Sequence, residues 1–141
     1  MTNKTTGQLQ QELMEQPNLK AYLSSNQSCF MEPGVLELLE SLRVRCGLSK
    51  AEIARRSGMS EVYLHQVFSG RRRASRDRLL SLCIGMDASL EDANLLLKQA
   101  ACAQLYPRLK RDAIISHGLV HHRPLREINE ELFAENEKTL S

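Results

Sequence analysis

Apolar residues recur along most of this chain at intervals of three and four, which lines them up on one face of a helix. The period is clearest from Val35, where Val35, Leu38, Leu39 and Leu42 form one stripe and Gly47 follows as a C-cap. Ser49-x-x-Glu52 has the form of a capping box. It opens a second helix with Ile53 and Ala54 inward, which Gly58 stops. Ser60 caps a third, with Val62, Leu64, Val67 and Phe68 as its apolar set, and Gly70 closes it. Ser75 opens a fourth, carrying Leu79, Leu80, Leu82, Cys83 and Ile84, which Gly85 and Asp87 break. Ser89-x-x-Asp92 opens a fifth, with Ala93, Leu96, Leu97 and Ala100 inward.

Weaker periodicity flanks this run. Residues 6–24 predict a polar amphipathic helix with Leu9, Leu13 and Met14 on one side, broken near Gln16 by Pro17. The stretch 25–33 reads as a loop. Pro107 suits a first helical position, with a helix running to about His117. Another starts at Pro124 and carries Leu125, Ile128, Leu132 and Phe133. The polar end, ENEKTLS, is expected to fray. No apolar/polar alternation persists long enough for a strand. The pattern therefore predicts an all-α chain in three parts. These are an N-terminal helical extension (1–34), a five-helix domain (35–101) and a C-terminal helical extension (102–141).

Composition supports packed short helices. Aromatics make up 4% of the 141 residues and Trp is absent, so Leu, Ala, Ile and Val must fill the core. The net charge of +2 is small, but it is unevenly spread. Residues 35–87 hold 10 basic and 6 acidic side chains, while residues 124–141 hold 2 and 5. The N-terminus lacks the apolar region of a signal peptide, and no stretch approaches the ~18 apolar residues of a membrane span. The expectation is a cytoplasmic protein. Its four cysteines, Cys29, Cys46, Cys83 and Cys102, form no C-x-x-C pair and are expected to be reduced. His117, His121 and His122 match no metal-binding spacing and read as a helix C-terminus, so no metal and no cofactor are expected. No nucleophile–base–orienter set, Gly-rich phosphate loop or paired acidic motif appears, which argues against an enzyme.

The stretch from Leu48 to Arg73 carries the functional signal. Two helices of about two turns each flank the tight turn Ser57-Gly58-Met59-Ser60, which forces a steep crossing. With Ile53, Leu64 and Val67 facing inward, the outer face of the later helix presents Glu61, Val62, Tyr63 in part, His65, Gln66 and Ser69. Gln66 has the chemistry to pair bidentately with adenine, and Val62 to touch a thymine methyl. Arg71, Arg72 and Arg73 leave that helix, with Ser75 and Arg76 at the next helix start, where free N–H groups suit phosphate. Glu61 admits two readings, as an acceptor facing cytosine N4 or as a first-turn acid complementing the helix dipole. The arginine run is likewise either a phosphate clamp or a solvated loop.

These residues carry a resemblance. Leu48-Ser49-x-x-x-Ile53-Ala54-x-x-Ser57-Gly58-x-Ser60-x-x-x-Leu64-x-x-Val67-x-x-Gly70-x-Arg72, followed by Ser75 and a leucine-rich helix, resembles the phage-repressor/Cro, or XRE, class of helix-turn-helix proteins. The resemblance spans residues 35–101. It implies a five-helix repressor-like helix-turn-helix bundle whose third helix reads the major groove of double-stranded DNA, in a transcriptional regulator. It implies base contacts at Glu61, Val62, His65 and Gln66. Backbone contacts are implied at Lys50, Ser69, Arg71, Arg72, Arg73, Ser75 and Arg76. Many members carry Gln where this chain has Glu61. The alternative is a protein-interaction module, an antitoxin or adaptor, on a scaffold that no longer reads DNA. Residues 102–141 lie beyond the resemblance. They either fold back to enlarge the core or offer a surface to a homodimer or protein partner.

Overall fold

A computed structural model describes residues 4–26 and 34–140 of the chain. All regular secondary structure among them is helical. The chain divides into two compact units, residues 1–32 and 33–141.

The first unit holds α1 (Thr6–Glu15) and α2 (Leu19–Ser25). Thr5 caps α1 in a reciprocal box with Gln8, and Asn18 caps α2, so the predicted break falls at 16–18. Asn26 ties the two helices, accepting from Lys4 Nζ at 2.6 Å and donating to Glu12 Oε1 at 2.9 Å. Most of the predicted loop at 25–33 lies outside the described residues.

The second unit runs through α3 (Val35–Cys46), α4 (Lys50–Arg56), α5 (Glu61–Phe68), α6 (Arg76–Gly85), α7 (Leu90–Gln99), α8 (Lys110–Val120) and α9 (Leu125–Ala134). Helix α6 is its centre. Every residue from Leu79 to Gly85 is buried, and α4, α7 and α9 all pack on it. Serine caps set the starts of α4, α5, α6 and α7, the hydroxyls of Ser49, Ser60, Ser75 and Ser89 each accepting from a backbone N–H three residues on. Only the last of these is a full capping box. At α4 the Glu52 carboxylate turns outward to Arg55 and Arg56 instead of back to the cap, because charged guanidinium partners outcompete a single backbone N–H. Hydrogen bonds from those two arginines hold the Glu52 carboxyl down at about 2.

Two close approaches depend on glycine. A Cβ on Gly85 would stand 2.1 Å from Ser57 Oγ, so the end of α4 reaches α6 only because Gly85 has no side chain. A Cβ on Gly118 would stand 2.5 Å from Ile128, which fixes the approach of α8 to α9. The turn between α4 and α5 bends at Gly58, whose φ of 66° suits glycine. A Cβ there would lie 3.1 Å from Leu125 Cδ2, so the first residue of α9 rests against the tip of that turn.

Residues 102–140 fold back on the bundle. Ile115, Leu119, Ile128, Leu132 and Leu140 join one core with Leu39, Ile53, Leu64, Leu80 and Leu96. Several expectations need correction here. Pro107 sits in a turn and α8 starts at Lys110, extending past His117 to Val120. Phe133 is 78% exposed, since the buried stripe of α9 runs through Ile128 and Leu132 and leaves it one position too far round. The polar end does not fray through residue 140. Asn129 brackets Leu140, donating to its carbonyl at 2.9 Å and accepting from its N–H at 2.7 Å. Arg111 Nε donates to the Lys138 carbonyl at 2.8 Å. The buried Leu140 anchors this end, and two side chains borrowed from α8 and α9 satisfy backbone groups that would otherwise be free.

Candidate nucleic-acid interface

Helix α5 has two unlike faces. Leu64 and Val67 are buried against the bundle. On the other side Glu61, Val62, His65 and Ser69 are exposed, and Gln66 is half-buried. Val62 is 68% exposed, an apolar side chain held in water by a helix whose other β-branched residue, Val67, is wholly inside. Among the described residues no hydrogen bond or ion pair engages the side chains of Glu61 or His65. Ser69 Oγ donates to the Gln66 carbonyl at 3.1 Å, closing the last turn of the helix.

The loop after α5 is basic and open. Arg71, Arg72 and Arg73 are all exposed, while Ala74 is buried and pins the loop to the core. No ion pair among the described residues engages Arg71 or Arg73. Arg72 is held: its Nε donates to Gln66 Oε1 at 3.0 Å, and its guanidinium lies 5.3 Å from the Tyr63 ring centroid. The Arg78 guanidinium approaches the same ring at 5.1 Å. Lys50, half-buried at the first position of α4, sets its ammonium 5.8 Å from the Phe68 ring centroid, which brings the start of α4 beside the end of α5. The Ser75 hydroxyl is occupied as the cap of α6, accepting from the Arg78 N–H at 3.2 Å.

Arg76 faces the other way. Its guanidinium forks onto Asp112, at 3.3 and 3.0 Å, and its Nε donates to the Ala103 carbonyl at 2.8 Å. Asp112 is buried and also accepts from the Tyr106 N–H at 3.0 Å. Arg76 thus docks the C-terminal extension and stands apart from the exposed arginines it was grouped with. Tyr63 and Arg78 were not among the expected contacts. The available signal was helical phase, since Ser75 as cap puts Arg78 on the first turn of α6, and Tyr63 borders the outer face of α5.

The geometry is that of two short helices crossing at a tight turn, with the second one laid outward. Residues 36–96 match the family model of a helix-turn-helix domain. No curated protein and no solved structure matches the chain. Among the described residues the fold is therefore all-α and contains a helix-turn-helix domain. Among the described residues no helix is long and apolar enough to cross a membrane.

Proposed function

We propose that this chain is a sequence-specific double-stranded-DNA-binding protein of the XRE type, acting as a transcriptional regulator. Helix α5 enters the major groove, with Glu61, Val62, His65 and Gln66 toward base edges. Arg71, Arg72 and Arg73, with Lys50 and Ser69, fix it on the phosphate backbone, and the α6 N-terminus at Ser75 adds N–H groups. Arg76 leaves the phosphate set and serves the fold. The function is binding without chemistry. Where two copies bind a palindrome, their half-sites lie about 34–36 Å apart.

One observation carries this reading: an outward face with a 68%-exposed Val62 runs directly into the exposed Arg71 and Arg73, which no ion pair among the described residues engages. The test is selection from a randomised duplex pool with the salt dependence recorded. An enriched motif is expected, with weaker binding and a shallower salt slope in Arg71→Ala/Arg72→Ala/Arg73→Ala. The second reading, an antitoxin or adaptor that binds protein, draws on Glu61, an exposed carboxylate on the same face that repels phosphate. Weak DNA binding with no enriched motif and no steep salt dependence would select it.

A further inference from the structure

Gln66 is not a free amide. The loop after α5 folds back over the helix end, the Arg71 and Arg72 N–H groups both donating to the Gln66 carbonyl, at 2.9 and 3.1 Å. Gly70, at φ 81°, permits the reversal. This brings the Arg72 side chain back along α5 to Gln66 Oε1 and to the ring of Tyr63, one turn earlier. Arg72 is therefore held at two points, by an acceptor and by an aromatic face.

The consequence lies in which end of the amide remains available. Reading adenine bidentately needs both ends, the oxygen accepting from N6–H2 and the nitrogen donating to N7. In this arrangement Oε1 already accepts from a cation. A second donor could share that oxygen only by bringing the positive end of the adenine amino group against a guanidinium. The Gln66 NH2 group faces no such conflict. It donates, and the adjacent cation favours any base edge that presents acceptors. Guanine presents two, N7 and O6.

We propose that Arg72 is a specificity-determining residue, which takes the oxygen of Gln66 out of use and turns an adenine-reading side chain into a donor that selects guanine. Tyr63 is the positioning residue that holds Arg72 there. The inference rests on the reading of α5 as the recognition helix, and the test separates the two. The full chain is taken through duplex-pool selection beside Gln66→Ala and Arg72→Met. The Met variant keeps an apolar stem against Tyr63 and releases the amide. The expected result is one position where the wild type prefers guanine. Gln66→Ala loses that preference, and Arg72→Met moves it toward adenine by roughly tenfold in the guanine-to-adenine ratio. Adenine at the Gln66-dependent position in the wild type overturns the inference, as does a guanine preference that Arg72→Met or Gln66→Ala leaves intact. Both outcomes leave DNA reading standing. No enriched motif from the wild type would sink the recognition reading, and this inference with it.

Discussion

Arg71 and Arg76 show how little a side chain's identity says until its neighbours are known. Arg71 is exposed and unpaired among the described residues, while Arg76 forks onto the buried Asp112. Arg76→Ala should lower stability by about 2 kcal/mol, less than the loss at a fully buried pair because Arg76 keeps a quarter of its surface. It should leave the salt slope of DNA binding unchanged. Arg71→Ala should do the reverse, shallowing the slope by about one unit and moving stability by less than about 0.5 kcal/mol. Denaturant titration and salt-dependent binding, run on both variants, check this. The sequence placed Arg76 correctly at the start of α6 but could not show its partner, which lies 36 residues on. Helical phase says which way a residue points and not what arrives there. Gly118 was equally silent. Gly118→Ala should cost about 1–3 kcal/mol by forcing Ile128 aside, read as a lower urea midpoint at unchanged slope.

At the scale of elements, most of the fold was legible. Four serines at four helix starts, glycines at the turns and leucines at three- and four-residue spacing each dictate local structure by short-range physics. The full capping box at Ser89 also bears on pH. Burial pushes the Asp92 carboxyl up, but Arg45 and the Ser89 N–H and hydroxyl outweigh it and hold it below the ordinary carboxylate range. A depressed folded-state pKa contributes stability that is full above the unfolded value and is lost as pH falls through the folded one. Thermal midpoints should therefore drop on acidification below about pH 4, and Asp92→Asn should flatten part of that fall. An identical acid profile in the variant would exclude the cap as its source. What was not legible was the start of α8. Pro107 fits a first helical position as well as it fits a turn, and local sequence does not choose between them.

At the scale of the whole molecule, the second unit closes on itself through contacts that no local pattern announces. The last described residue, Leu140, is buried in the same core as Leu39, about a hundred positions earlier. Leu140→Ala should cost about 2–3 kcal/mol, comparable to a central leucine, measured by chemical denaturation. A frayed end would show almost no change. The outward face of α5 was legible because exposed and buried positions alternate there by helical period. The clustering of Tyr63, Arg72 and Arg78 was not, because it needs the loop at Gly70 to reverse.

Leu125 rests against Gly58, outside the segment 36–96 that defines the domain. The crossing of α4 and α5 is thus set from behind as well as by its own contacts, before any duplex is met. A pair of helices already immobilised has less freedom to surrender on docking. In a calorimeter, loosening that brace with Leu125→Ala would appear as a larger entropic penalty of binding, although Leu125 lies outside the proposed DNA face.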